Sequence, residues 1–320
     1  MVRSDAPWQP DPRIDRPAGV LFGVVATLLV SWMLGLAVAG STLPYAAENT
    51  NGSWALRQLD RVPLPFGDAL VTAFVSLGDE VDYARYVDPL TPEDITPVRR
   101  PDPAVAKAPG VERASASTYK VIGHKGGLDG SQGTVFVVGR GLLMTAAHVV
   151  NGTSRLEVLT EQGEVDATVV ACDPEHDVAV LSADVDGRPL AFAESAEHGD
   201  DAAAIGFPLN GDLTITPVRV RDRQDFQAAD INGKGRYESD VYAVRGRIHH
   251  GNSGGPVVTP DGRVLGVVVA YSRTSRDTAY VNTASQVAAT LAAAVRLPRV
   301  RGETNRPLGN RCHRTAPIPK

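Results

Sequence analysis

Short apolar runs separated by polar breaks fill the chain from residue 118 to about residue 284. The runs are rich in Val, Ile, Tyr and Thr, which favour strands, and the breaks contain Gly, Asn and Asp, which favour turns. Clear examples are Tyr119–Ile122, Thr134–Val138, Leu156–Leu159, Ala167–Val170, Leu213–Val218, Asp240–Val244 and Val264–Val269. Many short strands at regular spacing predict a mainly β domain, built as a sandwich or a barrel.

The segments around this region have other patterns. Asn282 to Val295 starts with residues that cap helices and continues rich in alanine, which predicts a C-terminal helix. The strand-rich domain with this helix is expected to span residues 118–300, and a polar tail follows at 301–320. Residues 88–117 are rich in proline and charge, which predicts an extended linker because proline fixes φ and lacks an N–H donor. Residues 41–87 contain short apolar segments at helical spacing and predict a membrane-proximal helical segment.

An uncharged apolar run of 23 residues, Ala18 to Gly40, lies near the N-terminus. As a helix it would measure about 34 Å, which is enough to span a bilayer. Arginines lie before it in residues 1–17, whereas the first basic residue after it is Arg57. The positive-inside rule therefore predicts a single-pass cell-membrane protein with a cytoplasmic N-terminus and an extracytoplasmic remainder. The alternative is a signal peptide cleaved after Ala37–Ala39, which would export the same remainder; the length of the run favours the anchor.

Composition narrows the partners that this chain can have. The net charge is −5 and the pI is about 5.8, without a basic stripe, so no nucleic-acid partner is predicted. Two cysteines, Cys172 and Cys312, are too few for a disulfide scaffold and too far apart for a zinc site. In an exported domain they can form one bridge, and the alternative is two unpaired thiols. No metal and no cofactor is predicted.

Three motifs in the order His, Asp, Ser carry the candidate chemistry. They are Leu142–Val150 with His148, Asp173–Leu181 with Asp177, and Gly251–Pro256 with Ser253. A nucleophilic serine needs a base to take its proton and donors to hold the oxyanion, and this order is a known order of the catalytic triad. Asp173 is a second candidate for the acid, but Asp-Pro indicates a turn, so Asp177 is favoured.

At these motifs the sequence resembles the trypsin-like serine proteases, and more closely their bacterial HtrA-type branch. The resemblance is carried by TAAHVV around His148, DPEHDVAVL around Asp177 and GNSGGP around Ser253. No PDZ domain is expected in this sequence, which departs from typical HtrA proteins. Its layout, an exported protease behind an anchor and a linker, is closer to the membrane-anchored MarP-type acid-resistance proteases of actinobacteria. Those carry several membrane helices, whereas one is predicted here.

The resemblance implies a fold and a role for each motif residue. It implies two six-stranded antiparallel β-barrels of the chymotrypsin type with a C-terminal helix, and a cleft between the barrels. Ser253 would attack the scissile carbonyl, His148 would move the proton, and Asp177 would orient the imidazole. The N–H groups of Gly251 and Ser253 would form the oxyanion hole. Asn252 is neutral and cannot pair with a freed N-terminal amine, so activation by N-terminal insertion is not expected.

The substrate pocket is the least determined part of the sequence. By position, Arg247 and Ile248 would lie near its base, and the wall would include His250, Val269, Ala270 and Tyr271. Arg247 there would either select acidic substrate residues or point to solvent. His249 and His250 would either line the cleft or lie exposed on a loop. The sequence does not distinguish between these alternatives.

The sequence therefore predicts a membrane-anchored, exported serine endopeptidase that cleaves protein or peptide substrates, in envelope stress tolerance or protein processing. The alternative is a catalytically idle trypsin-like domain that acts as an exported binding or sensing module.

Overall fold

The computed structural model describes residues 94–126, 129–228, 230–232, 237–272, 275, 277–296 and 312, together with Gly23 and Thr27. Within these residues the strands form two closed antiparallel barrels of six strands each. The prediction of a mainly β fold with two barrels is therefore confirmed.

The first barrel is closed in the order β1-β2-β3-β6-β5-β4. Its strands are β1 (Thr118–Gly126), β2 (Asp129–Gly139), β3 (Leu142–Thr145), β4 (Arg155–Thr160), β5 (Gly163–Asp173) and β6 (Val178–Ser182). Buried side chains such as Val121, Val135, Leu143, Val158 and Leu181 fill its interior. The strand pairings shift register in β1, β2 and β5, and such bulges let strands bend enough to close a barrel.

The second barrel is closed in the order β10-β11-β12-β9-β8-β7. Its strands are β7 (Asp201–Gly206), β8 (Thr214–Ala228), β9 (Tyr237–Arg245), β10 (Pro256–Val258), β11 (Val264–Tyr271) and β12 (Thr278–Thr283). Val218, Val244, Leu265 and Val281 are among the side chains buried inside it. The nucleophile motif thus lies in the connection between β9 and β10.

The two barrels share buried apolar contacts. One cluster joins Phe136 and Met144 of the first barrel to Ile205 and Val267 of the second. Their burial removes apolar surface from water on both sides, so the barrels form a rigid base beneath the connections that carry the three motifs.

Three α-helices accompany the barrels in the described residues: α1 (Pro109–Ser115), α2 (Ala147–Val150) and α3 (Ala284–Arg296). The C-terminal helix α3 begins two residues later than predicted, because Asn282 and Thr283 complete β12. Thr283 Oγ1 accepts a hydrogen bond from Gln286 N at 3.2 Å and so caps the first turn. Val287 and Ala294 pack in the cluster that both barrels share.

The prediction of an extended linker at residues 88–117 is wrong for its second half. Residues Pro103–Lys107 form a 3-10 helix and α1 follows, with Val105 and Val111 buried. Gly110 packs against the backbone of Asp261 so closely that a Cβ there would collide with it. Proline favours the first turn of a helix as well as extended chain, and here Pro103 and Pro109 both begin helices.

The predicted anchor at residues 18–40 and the helical segment at 41–87 lie outside the described residues, apart from Gly23 and Thr27. These two are helical, and Thr27 Oγ1 donates to Gly23 O at 2.8 Å. In the described part of the chain, no helix combines the length and the apolar character needed to span a bilayer.

Candidate active site

His148 and Asp177 are in direct contact at one end of the first barrel. His148 lies in α2 directly after β3, and Asp177 lies directly before β6, the strand that pairs with β3. Asp177 Oδ2 is 2.6 Å from His148 Nδ1, and Asp177 Oδ1 accepts the backbone N–H of His148 at 2.7 Å. The carboxylate is buried at 1 % exposure, so it holds the imidazole with Nδ1 protonated and leaves Nε2 as the acceptor for a proton.

Asp177 is positioned by a tight turn that Asp173 stabilises. Asp173 Oδ1 accepts the N–H groups of Glu175 and His176 at 3.1 and 3.3 Å, and its Oδ2 lies 2.8 Å from His176 Nδ1. These hydrogen bonds outweigh burial and lower the pKa of Asp173. Asp177 itself has a φ of 51°, a left-handed conformation that is uncommon outside glycine. Asp173 is thus a turn residue, and His176 is bonded to it.

The nucleophile loop leaves two N–H groups available for an oxyanion. Asn252 N, Gly254 N and Gly255 N donate to His249 O, Val268 O and Asn252 O at 3.1, 2.8 and 2.9 Å. Within the described residues, the N–H groups of Gly251 and Ser253 donate to no protein acceptor. The two N–H groups that remain, those of Gly251 and Ser253, are the donors predicted from the sequence for the oxyanion hole.

Hydrogen bonds on the opposite side of each peptide set the direction of these two donors. His250 O accepts from Leu209 N at 2.7 Å, and Asn252 O accepts from Gly255 N at 2.9 Å. Because N–H and C=O point in opposite directions across a trans peptide, fixing these carbonyls also fixes the N–H groups of Gly251 and Ser253. Leu209 is itself held in a left-handed conformation with φ 53°.

Two glycines of the motif are required by conformation and by space. Gly251 has φ 90° and Gly254 has φ 80°. A Cβ at Gly251 would collide with the Phe207 carbonyl oxygen, and one at Gly254 would collide with the Thr134 carbonyl oxygen. No L side chain fits either position without strain.

The first barrel holds the nucleophile loop through Thr134, a residue that the sequence analysis missed. Thr134 N donates to Ser253 O at 2.9 Å, and Thr134 Oγ1 donates to Gly251 O at 2.7 Å. Thr134 is fully buried, and its own carbonyl accepts from Thr145 Oγ1 at 2.8 Å. A threonine inside an apolar strand looks like an ordinary strand residue, so the sequence carried no signal for this role.

The His148 segment and the nucleophile loop converge on the same strand. A Cβ on Gly133 would lie 2.7 Å from the Val149 side chain and 2.9 Å from Ser253 O. Ser253 is 6 % exposed, and its Oγ lies 3.5 Å from the phenol oxygen of Tyr271. Tyr271 also contacts His250, with its oxygen 3.4 Å from Nδ1 and the rings edge to face at 5.2 Å.

The remaining predicted pocket residues divide between solvent and core. Arg247 is exposed, whereas Ile248 is buried in the core of the second barrel. Val269 and Ala270 are buried and line a small cleft beside Asp177. His249 is exposed, and partial loss of surrounding water together with the positive charge of Arg247 lowers its pKa. Of the predicted set, the structure therefore brings His250 and Tyr271 to the nucleophile.

Cys172 and Cys312 form a disulfide with Cα atoms 5.7 Å apart. Cys172 lies on β5, five residues before Asp177, and Cys312 N donates to Asn151 Oδ1 at 3.1 Å. Asn151 directly follows α2, so the bridge fastens residue 312 behind the elements that carry His148 and Asp177. From the sequence alone, both this bridge and two unpaired thiols were possible.

The described residues contain one group of side chains with the spacing of metal ligands, at the turn before Asp177. Ligand atoms of Asp173, Glu175 and His176 lie within 4.8 Å of one another. Asp173 and His176 already bind each other there, and the turn geometry explains the grouping.

Comparisons with known proteins agree with this geometry. The family model of the trypsin-like peptidase domain matches residues 133–267. The serine protease Rv3671c of Mycobacterium tuberculosis is 32 % identical over 296 residues, covering 91 % of this chain and 75 % of the relative. The crystal structure of its active form has 34 % identity and a TM-score of 0.64, covering 71 % of this chain and 98 % of that chain. The HtrA-type protease AlgW, solved with a tripeptide, has 26 % identity and a TM-score of 0.52, with coverage of 60 % and 64 %.

The match to Rv3671c extends far beyond the three motifs and spans most of both chains. Together with the two barrels and the peptidase-domain match, it shows that this chain belongs to the trypsin-like serine proteases, in the group of Rv3671c and with HtrA-type proteases as neighbours.

Proposed function

We propose that this protease cleaves peptide bonds with His148, Asp177 and Ser253 as its catalytic triad. The observation that carries the proposal is the buried Asp177 carboxylate bonded to both the ring and the backbone of His148, beside a loop with two unused N–H donors. An idle binding domain would have no need for either feature.

The geometry gives each group one task. Ser253 Oγ attacks the scissile carbonyl carbon while His148 Nε2 takes its proton, and the same imidazolium then donates that proton to the leaving amine. Asp177 keeps the proton on Nδ1 and stabilises the imidazolium. The N–H groups of Gly251 and Ser253 bind the oxyanion, where one donor contributes about 3–4 kcal/mol. Water then attacks the acyl-enzyme while His148 takes a proton from it, and His148 returns this proton to Ser253 Oγ as the acyl group leaves.

Kinetics of single variants test the triad. Ser253→Ala should lower kcat for a peptide substrate by about five to six orders of magnitude, since triad members act as a unit. Asp177→Asn should lower kcat about ten-thousandfold because the imidazole takes the wrong tautomer. The matched control is Asp166→Asn, which changes an exposed carboxylate of β5 that pairs with Arg155 and should keep the activity. Peptide cleavage that persists in purified Ser253→Ala protein would remove Ser253 from the mechanism.

We further propose that residues 18–40 anchor the chain in the cell membrane with the protease domain outside the cytoplasm. The support is the uncharged run with arginines on its N-terminal side. A phosphatase fused after Lys320 should be active, and one fused after Pro17 should be inactive. A mature N-terminus at Gly40 would instead identify a cleaved signal peptide.

The role we propose is envelope stress tolerance or the processing of envelope proteins. It follows from the proposed location and from the resemblance to acid-resistance proteases, and peptides are the expected substrate class because AlgW was solved with a tripeptide. A strain that lacks the gene should grow poorly in acid. The wild-type gene should restore growth, whereas the Ser253→Ala gene should not.

A further inference from the structure

A segment before the first barrel runs along the second barrel and is held there by two arginines. Residues 94–102, which we call the N-terminal strap, present backbone carbonyls to strands β8 and β9. Arg221 Nη1 donates to Thr96 O at 3.0 Å, and Arg245 Nη1 donates to Val98 O at 2.6 Å. At the end of the strap, Asp102 N donates to Asp201 Oδ1 at 3.0 Å. These main-chain contacts bridge 99 to 147 residues of sequence, and Thr96 Oγ1 adds a hydrogen bond to Asp222 Oδ2 at 3.1 Å.

The two arginines share one carboxylate. Arg221 Nη2 donates to Asp277 Oδ1 at 2.9 Å, and Arg245 Nε donates to Asp277 Oδ2 at 2.8 Å. Arg221 is 5 % exposed, and its Nε has no partner in the described part of the chain. A buried guanidinium depends on every acceptor that it has. The strap carbonyl at Thr96 is therefore one of the few groups that keep this charge satisfied.

Asp277 in turn holds both loops that border Ser253. Its carbonyl accepts Gly246 N at 2.9 Å, at the start of the connection that leads to His250 and Gly251. Its Oδ1 also accepts from Ser275 Oγ at 2.9 Å. Ser275 N donates to Ser272 Oγ at 2.8 Å, and Ser272 directly follows Tyr271, whose phenol oxygen lies 3.5 Å from Ser253 Oγ. A continuous chain of contacts therefore leads from the strap to the nucleophile.

We propose that the strap is an intramolecular activator of the protease, with Arg221, Arg245 and Asp277 as positioning residues. When the strap is docked, its carbonyls fix the two guanidinium groups and these fix Asp277. Asp277 then orders the loop that carries the oxyanion donor Gly251 and the turn that follows Tyr271. When the strap is lost, the buried Arg221 turns away to find another acceptor and the two loops lose their common support. The inference rests on the proposed function, because it regulates the same site.

The test uses the full chain purified in detergent, with a recognition sequence for a site-specific protease inserted between Arg99 and Arg100. Cutting there releases the Thr96 and Val98 carbonyls after dilution. We expect kcat/KM for a fluorogenic peptide to fall roughly tenfold to a hundredfold, in the usual range of coupling between sites. Fluorophosphonate labelling of Ser253 should slow in parallel. A synthetic peptide of residues 94–100, added at about millimolar concentration, should restore activity, and a scrambled peptide should not.

The matched control carries the same insertion between Gly78 and Asp79. This cut removes the N-terminal part of the chain and leaves the strap attached, so activity should be unchanged. The inference is overturned if activity survives complete release of residues 94–99, or if both cuts lower it equally. Loss of the proposed function would look different, because the uncut protein would then show no Ser253-dependent cleavage at all.

A second variant tests the same contacts without cutting the chain. Arg245→Lys keeps the charge but cannot reach Asp277 and Val98 O together, as a guanidinium does. We expect a roughly tenfold rise in KM or fall in kcat. Its control is Arg223→Lys, which alters another arginine of the barrel that pairs with Asp240 and does not touch the strap. Equal activity of Arg245→Lys and wild type would contradict the inference.

Discussion

The hydroxyl of Thr134 provides the sharpest test of how the oxyanion hole is built. Thr134→Val keeps the size and shape of the side chain and removes the hydroxyl, which donates to Gly251 O at 2.7 Å and accepts from Phe207 N at 3.3 Å. Thr134 is fully buried, so water does not replace the lost bond. An unpaired buried acceptor costs about 1–3 kcal/mol, and we expect unfolding to become easier by that amount.

Thr134→Val should lower kcat by more than its loss of folding stability can explain. Without this bond the Gly251–Asn252 peptide can rotate, because glycine has no Cβ to restrict it, and the backbone of Gly251 no longer holds the adjoining N–H in the oxyanion site. Loss of one such donor lowers kcat about a hundredfold to a thousandfold. The donor acts on the transition state, so KM should change little. Steady-state kinetics with a fluorogenic peptide and thermal unfolding of the same protein measure both effects.

Two variants make this result interpretable. Thr134→Ser keeps the hydroxyl and should retain most of the activity. Thr118→Val removes another buried hydroxyl, which donates to Ala114 O at 3.0 Å and not to the nucleophile loop, and should reduce stability while kcat stays at the wild-type value. A wild-type kcat in Thr134→Val, or an equal loss in Thr118→Val, would refute the reasoning.

Three further predictions concern the frame of the site. Replacing Cys172 and Cys312 by serine should lower the free energy of unfolding by up to about 5 kcal/mol in denaturant titrations, since the closed loop spans 140 residues. Gly254→Ala should abolish peptide cleavage, because its Cβ would collide with backbone; normal kinetics would contradict this. A hydrogen bond from Arg223 lowers the pKa of Asp240 in the folded protein. This carboxylate therefore stabilises the fold fully above its unfolded pKa of about 3.9. The stabilisation is lost as the pH falls through the lower folded pKa. Asp240→Asn should therefore flatten the acid side of a plot of melting temperature against pH.

The parts of the fold and site that the sequence predicts are those with local signals. The strands follow from apolar runs between turn residues, and the motifs around His148, Asp177 and Ser253 each combine a reactive side chain with its strand or its glycines. Asp177 could be separated from Asp173 because an Asp-Pro pair indicates a turn, and Asp173 indeed accepts the N–H groups of that turn.

The parts that the sequence misses depend on contacts between distant residues. Proline and charge in residues 88–117 indicated a linker, and nothing local shows that the Thr96 and Val98 carbonyls bind arginines more than 120 residues away. The role of Thr134 could not be predicted for the same reason, because it depends on hydrogen bonds to a loop on the other side of the barrel interface. The pocket positions were also ambiguous, since register alone does not tell whether Arg247 faces solvent or Ile248 enters a core.

The central claim is that Ser253 is a nucleophile activated by its surroundings, and covalent labelling tests it most directly. The folded full chain is treated with a fluorophosphonate probe and the modified peptide is identified by mass spectrometry. We expect one adduct on Ser253, a much slower rate of labelling in His148→Ala, and no adduct in Ser253→Ala. Absence of labelling at Ser253 in folded protein, or an equal rate without His148, would contradict it.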